Sequence, residues 1–139
     1  MKILSSGIRR VSWLSFLAAV STASAATVDP FYAGSYTLTD LGSVPGVPFS
    51  YGGLTIKAGD SSTLLIGGDA NTAAGLLYSI GVIRDMDDHI TGFTGSATVF
   101  AEAAYNDGGI SYGPGGVLFL ARWPVNELGQ TKPGSAVTD

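Results

Sequence analysis

Four side chains able to move protons or ligate metal fall within six residues: Asp85, Asp87, Asp88 and His89, in RDMDDH (84–89). His89 is the one histidine of the chain. Clustered carboxylates beside an imidazole would suit calcium or another divalent cation. The segment lacks the glycine and the distant glutamate of an EF-hand loop. Asp also caps local backbone N–H groups in turns, and on that ground the segment reads as a solvated hairpin turn. A single histidine cannot build a multi-histidine metal centre, and with Asp and Ser scattered it assembles no convincing triad. No G-x-S-x-G nucleophile elbow and no H-E-x-x-H pair is assigned, and YGPGGVLF (112–119) is not followed by the Lys-Ser/Thr of a phosphate loop. It reads as a β-turn between strands. Glu102 and Asp107 are five residues apart, with no further acid near in sequence to tune either, and read as loop carboxylates. Tyr112 and Trp123 could stack a sugar or another ring, although buried strand aromatics are the commoner use of such residues. No catalytic residue and no cofactor-binding residue is assigned from these patterns.

The elements that would position these groups lie between two informative ends. Lys2, Arg9 and Arg10 precede the apolar VSWLSFLAAV (11–20), which is too short to span a bilayer, and Ala23-Ser24-Ala25 fits a small-x-small cleavage site. Residues 1–25 therefore read as a signal peptide with a helical core, and the chain as exported: periplasmic, extracellular or at the cell surface. Arg9-Arg10 hints at a twin-arginine signal, but the residues around it favour ordinary secretion. Cleavage after Ala25 removes three of the seven basic residues and none of the eleven acidic ones, leaving a net charge of −7. That balance repels phosphate backbones and makes nucleic acid an unsuitable partner. The chain has no cysteine, so neither disulfides nor thiolate-bound metal contribute, and stability must come from apolar burial. No further apolar stretch is long enough for a membrane span in the mature chain.

Twenty glycines and sparse charge point to strands and tight turns. The chain also repeats itself. GGL at 52–54 matches GGI at 108–110; Thr55-Ile56 then faces Ser111-Tyr112, a turn follows in each copy, and TLLIGG (63–68) faces VLFLAR (117–122) after a two-residue deletion. Asn71 falls near Asn126, and Gly75 near Gly129. Short apolar runs bounded by glycine read as strands buried on both faces. LLYSIGVIRD (76–85) alternates as a strand, RDMDDHI is the turn after it, and ITGFTGSATVFAEA (90–103) supplies the next one or two strands. A helix over 71–82 is the competing assignment, weakened by Ser79, Gly81 and nearby β-branched residues. A repeat near 50 residues suggests a propeller or a solenoid, in which each unit covers its neighbour's open face.

A strand-opening GGL/GGI, a short glycine turn, an apolar LLIGG/LFLAR strand and a third strand resemble secreted bacterial β-propellers of the NHL, YWTD and SMP-30-type families. DPFYAGSYTLTDLGSVPGVPFSYGGLTIKAGD with DGGISYGPGGVLFLARWPVNELGQTKPGS also resembles the amino-terminal part of exported proteins that carry a PEP-CTERM sorting signal. The chain stops at KPGSAVTD, without the Val-Pro-Glu-Pro, apolar helix and basic tail of such proteins. The fold expected is all-β: about two propeller-like blades, a partial propeller, over residues 26–139, with repeat units at roughly 36–88 and 89–139. The resemblance implies calcium on the propeller axis, with Asn71 and Asn126 as its candidate ligands; loop capping is the alternative role for both. The function expected is a non-catalytic binding or structural fragment facing an unidentified ligand or cell-surface partner. Two alternatives stay open: a fragment of a calcium-dependent lactonase or phosphotriesterase-like enzyme, and a short unit that self-associates into a ring.

Overall fold

A computed structural model describes residues 26–139. The signal helix expected over 1–25 lies outside the described residues. The chain divides into two compact units, Met1–Leu38 and Thr39–Asp139. The described part of the first holds a turn in which Tyr32 and Ala33 donate their backbone N–H to the Asp29 carbonyl, at 2.9 and 3.1 Å. Phe31, Tyr32 and Tyr36 meet edge to face there and are exposed to solvent.

The second unit is all-β, built from two antiparallel sheets. Sheet A follows chain order: β1 (Leu54–Ile56), β2 (Thr63–Gly68), β3 (Leu76–Arg84) and β4 (Ile90–Glu102). Sheet B consists of β5 (Asn106–Tyr112), β6 (Leu118–Arg122) and β7 (Glu127–Thr131). No α-helix occurs among the described residues; Pro114–Gly116 forms a 3-10 turn. No helix among them is long and apolar enough to cross a membrane. The segment 71–82, for which a helix competes, enters β3 instead. There Leu77, Tyr78, Ile80 and Val82 are buried.

The repeated sequence is a repeated hairpin in the same register. In the first copy Leu54 faces Ile66, Thr55 faces Leu65 and Ile56 faces Leu64. In the second, Ile110 faces Leu120, Ser111 faces Phe119 and Tyr112 faces Leu118. The correspondence ends with the second strand of each hairpin. Tyr78 faces Ile66, whereas Gly129 faces Leu120, so Gly129 takes the place of Tyr78 rather than that of Gly75. The loop before β3 covers 69–75 and the loop before β7 only 123–126, which shifts the third strand. β4 pairs with β3, so the passage from sheet A to sheet B falls at 103–105.

Burial explains the continuous apolar run in β2, because successive strand side chains point to opposite faces. Leu64 and Ile66 enter one cluster with Val44, Val47, Tyr78, Ile80 and Val82. Leu65 points the other way, into a second cluster with Leu77, Ala103, Leu118 and Leu120. Sheet B thus covers one face of β2, and the loop carrying Val44 and Val47 covers the other. Burying such a side chain fully contributes about 1.5–3 kcal/mol, so both faces of β2 bear on stability. The stacking is head to tail. The Leu65 face of sheet A meets the Leu118/Leu120 face of sheet B, and in the hairpin register these faces are not equivalents.

The sheet margins are also joined. Gly53 N–H donates to the Asp107 carbonyl at 2.7 Å between the strand starts. On the far side the tail links β4 to β7: Glu102 N–H donates to the Ala136 carbonyl, and Gln130 and Asp139 exchange two backbone hydrogen bonds. Thr138 donates its hydroxyl to the Glu102 carbonyl. These contacts pair strand edges that would otherwise be open to other chains.

Candidate functional site

Two places in the second unit concentrate polar groups against apolar walls. One is a cavity of about 430 Å³ at the end of sheet B where the β5–β6 turn meets the segment after β7. Phe100 on β4, Tyr112 at the end of β5 and Leu118 at the start of β6 give it apolar and aromatic walls. Thr131 closes it from β7, and Lys57 and Lys132 stand at it from two different turns. The hydroxyls of Thr131 and Thr138 lie 2.7 Å apart. Thr138 spends its proton on the Glu102 carbonyl, so Thr131 is the donor to Thr138 and keeps lone pairs to accept with. The chain from 26 onward has four basic residues: Lys57, Arg84, Arg122 and Lys132. Both arginines are held elsewhere, Arg84 by Asp88 and the Ser61 carbonyl, Arg122 by Glu127 and the Ala104 carbonyl. Both lysines border the cavity. Lys132 makes an exposed pair with Asp139 at 3.1 Å, a kind of contact worth little in water.

The other place is Asn106, 2% exposed at the start of β5. Its side-chain amide donates to the Gly68 carbonyl at 3.3 Å and to the Ala103 carbonyl at 3.0 Å. Its backbone carbonyl accepts from Asn71 N–H at 2.8 Å. One residue therefore ties the end of β2, the loop before β3 and the β4–β5 turn together. The space around it exists because Gly52, Gly67 and Gly75 have no side chain: a Cβ on any of them would overlap the amide. Asn106 Oδ1 has no hydrogen-bond partner and packs against glycine backbone. Motif reading passes over Asn106, because YNDGG resembles any exposed turn. The signal that could have found it is the pairing of two Gly-Gly steps, 52–53 and 67–68, with one asparagine outside both.

The residues singled out in the sequence do not converge. Asp85 Oδ1 accepts from the backbone N–H of Asp87 and His89 at 3.0 and 2.9 Å, a capped hairpin turn. The His89 N–H is the main cause holding the Asp85 carboxyl below its usual range. Asp60 does the same for the β1–β2 turn, its carboxyl lowered chiefly by the Thr63 hydroxyl and then by Ser62. No group of three or more metal-ligating side chains forms among the described residues. Asn71 and Asn126 occupy the corresponding loops after β2 and β6, both exposed, at φ of 64° and 57°. Asparagine tolerates that left-handed backbone better than most residues. Asn126 Nδ2 donates to the Pro124 carbonyl at 3.1 Å, and among the described residues no hydrogen bond joins it to Asn71. Glu102 and Asp107 act through their backbones at the two sheet margins. Tyr112 and Trp123 stand at opposite ends of sheet B, only Tyr112 at the cavity. A G-x-S-x-G string, Gly109–Gly113, is also present, and motif reading misses it. Its Ser111 lies within β5, paired opposite Phe119, not on the strand-to-helix elbow that a nucleophile of that motif needs.

Comparison with protein-family models, with curated proteins and with solved structures finds no match.

Proposed function

We propose that the chain is an exported, non-catalytic β-module with a binding or structural role at the cell surface. The observation that carries this reading is the cavity beside sheet B. Its walls come from strands of both sheets, which hold them in place without a ligand. Its chemistry is that of recognition: aromatic and aliphatic surface, one hydroxyl and two ammonium groups, in a volume within the range of small-molecule sites. Export rests on the basic start, the short apolar run and the small residues at 23 and 25. Head-to-tail stacking of the hairpin copies supports a propeller-like relation between the sheets, each unit covering the next.

Two measurements test the proposal. Fractionation of cells making a carboxy-terminally tagged chain is expected to find it outside the cytoplasm, beginning at Ala26; a cytoplasmic chain with Met1 in place refutes export. A thermal-shift screen against a chemically mixed panel of small molecules is expected to find saturable stabilisers. Their effect should disappear when Ala58→Trp narrows the cavity. A panel without a stabiliser, or stabilisation indifferent to Ala58→Trp, refutes the binding role.

A further inference from the structure

We infer that the cavity beside sheet B takes an aromatic carboxylate, a flat ring seated between Phe100 and Tyr112 with its carboxylate at Lys57 and Lys132. This rests on the binding role proposed above and names its ligand class. The charge argument is specific. From residue 26 onward acids outnumber bases by eleven to four, so the mean field of the molecule repels anions. Both lysines nonetheless stand at one concavity, contributed by chain segments 75 residues apart. Lys57 takes part in no ion pair among the described residues. Lys132 holds only Asp139, and an exposed pair of that kind exchanges readily for another anion. Ammonium groups are point charges with rotatable donors, suited to one carboxylate approached from two sides. Phe100 and Tyr112, partly buried against the core cluster, line the same cavity with apolar surface, and aromatic side chains favour rings in offset or edge-to-face contact. A ligand with both parts uses the whole cavity; a small inorganic anion leaves the apolar walls unused.

The probe is 2-naphthoate, with 2-naphthylmethanol as its neutral counterpart. Both are titrated into the full chain and followed by amide chemical shifts. The acid is expected to bind about tenfold more tightly than the alcohol, to shift the amides of Phe100, Tyr112 and Thr131, and to weaken as salt is added. Lys57→Gln and Lys132→Gln should each weaken the acid severalfold and leave the alcohol unchanged. Their melting temperatures should match the parent, since neither lysine supports the core. Equal affinity for acid and alcohol overturns the anion assignment while the binding role stands. Shifts confined to other parts of the chain overturn the site. No binding of either compound at millimolar concentration overturns the ligand class, and the panel screen then decides separately whether the binding role survives.

Discussion

Gly67→Ala is the sharpest test of the junction between the sheets. Gly67 has a backbone that alanine accepts, since it is not among the positive-φ positions. At such a site alanine ordinarily stabilises by about 0.4–1 kcal/mol through the unfolded state. Here the opposite is expected. The new Cβ would overlap Asn106 Oδ1 and lie 3.0 Å from Asn106 Cγ and 3.1 Å from Gly52 Cα. Overpacking of this kind costs about 1–3 kcal/mol, and the upper end applies because one obstacle is backbone. Asn106→Ala alone removes two amide hydrogen bonds and leaves the Gly68 carbonyl without its side-chain donor, a loss of about 2–3 kcal/mol. In the double variant the Cβ introduced at position 67 meets a methyl group instead of an amide, so the amide's share of its cost vanishes while the close contact with Gly52 Cα remains. The double variant should thus be about 1 kcal/mol less stable than Asn106→Ala, with a coupling of about 2 kcal/mol. Urea denaturation of the four proteins measures it. At about 4–8 °C per kcal/mol for a domain of this size, Gly67→Ala should also melt more than 10 °C below the parent. Additivity of the two changes within about 0.5 kcal/mol, or a stabilised Gly67→Ala, would refute the claim that this glycine makes room for the amide.

Three further outcomes are expected. Replacing Asp87 and Asp88 together by Asn should change stability by about 0.5 kcal/mol or less, because the turn is held through Asp85; a large loss on a urea curve would show otherwise. The Asp85 and Asp60 carboxyls are lowered in the folded chain, so what they contribute is present above the ordinary aspartate range and is lost as pH falls through their depressed values. Amide exchange at Ser62, Asp87 and His89, corrected for the intrinsic pH dependence, should therefore lose protection below about pH 4, and unchanged protection there would contradict the assigned hydrogen bonds. Thr138→Val removes the hydroxyl that links Thr131 to the Glu102 carbonyl and should cost about 1–2 kcal/mol. The faster exchange should be concentrated at Glu102 and Gln130, and a uniform loss across both sheets would deny the tail its local role.

The parts of the fold legible in the sequence are those decided by local pattern. Leu64-Leu65-Ile66 reads as a strand buried on both faces, and each of its faces has a cluster. The GGL/GGI match reads as a repeated unit, and the two hairpins share a register. The Asp85 turn reads as a turn because its capping partners lie within four residues. What pattern could not reach depends on distant segments. The burial of Asn106 is created by glycines at 52, 67 and 75, none within 30 residues of it. The cavity draws on segments near 57, 100, 112–118 and 131–134, and no spacing rule connects them. The span 89–139 reads as one repeat unit, yet β4 within it pairs with β3, because the tight turn at 85–89 returns the chain beside β3 before any long-range contact competes.

The head-to-tail contact between the sheets makes the second unit directional. A face-to-face pair of equivalent surfaces is complete once made. Here sheet A offers its Leu65 side and sheet B answers with its Leu118/Leu120 side. Sheet B still carries the counterpart of the Leu65 side, centred on Phe119. A further copy of the hairpin placed between the two sheets would find on each flank the kind of surface it needs, with neither terminal cover disturbed. The loop bearing Val44 and Val47 would remain over sheet A, and Phe119 would remain outermost. Lengthening by internal duplication would keep these apolar pairings, provided that the inserted copy remade the Gly53–Asp107 bond and the contacts of Asn106, and it would proceed in one sense only.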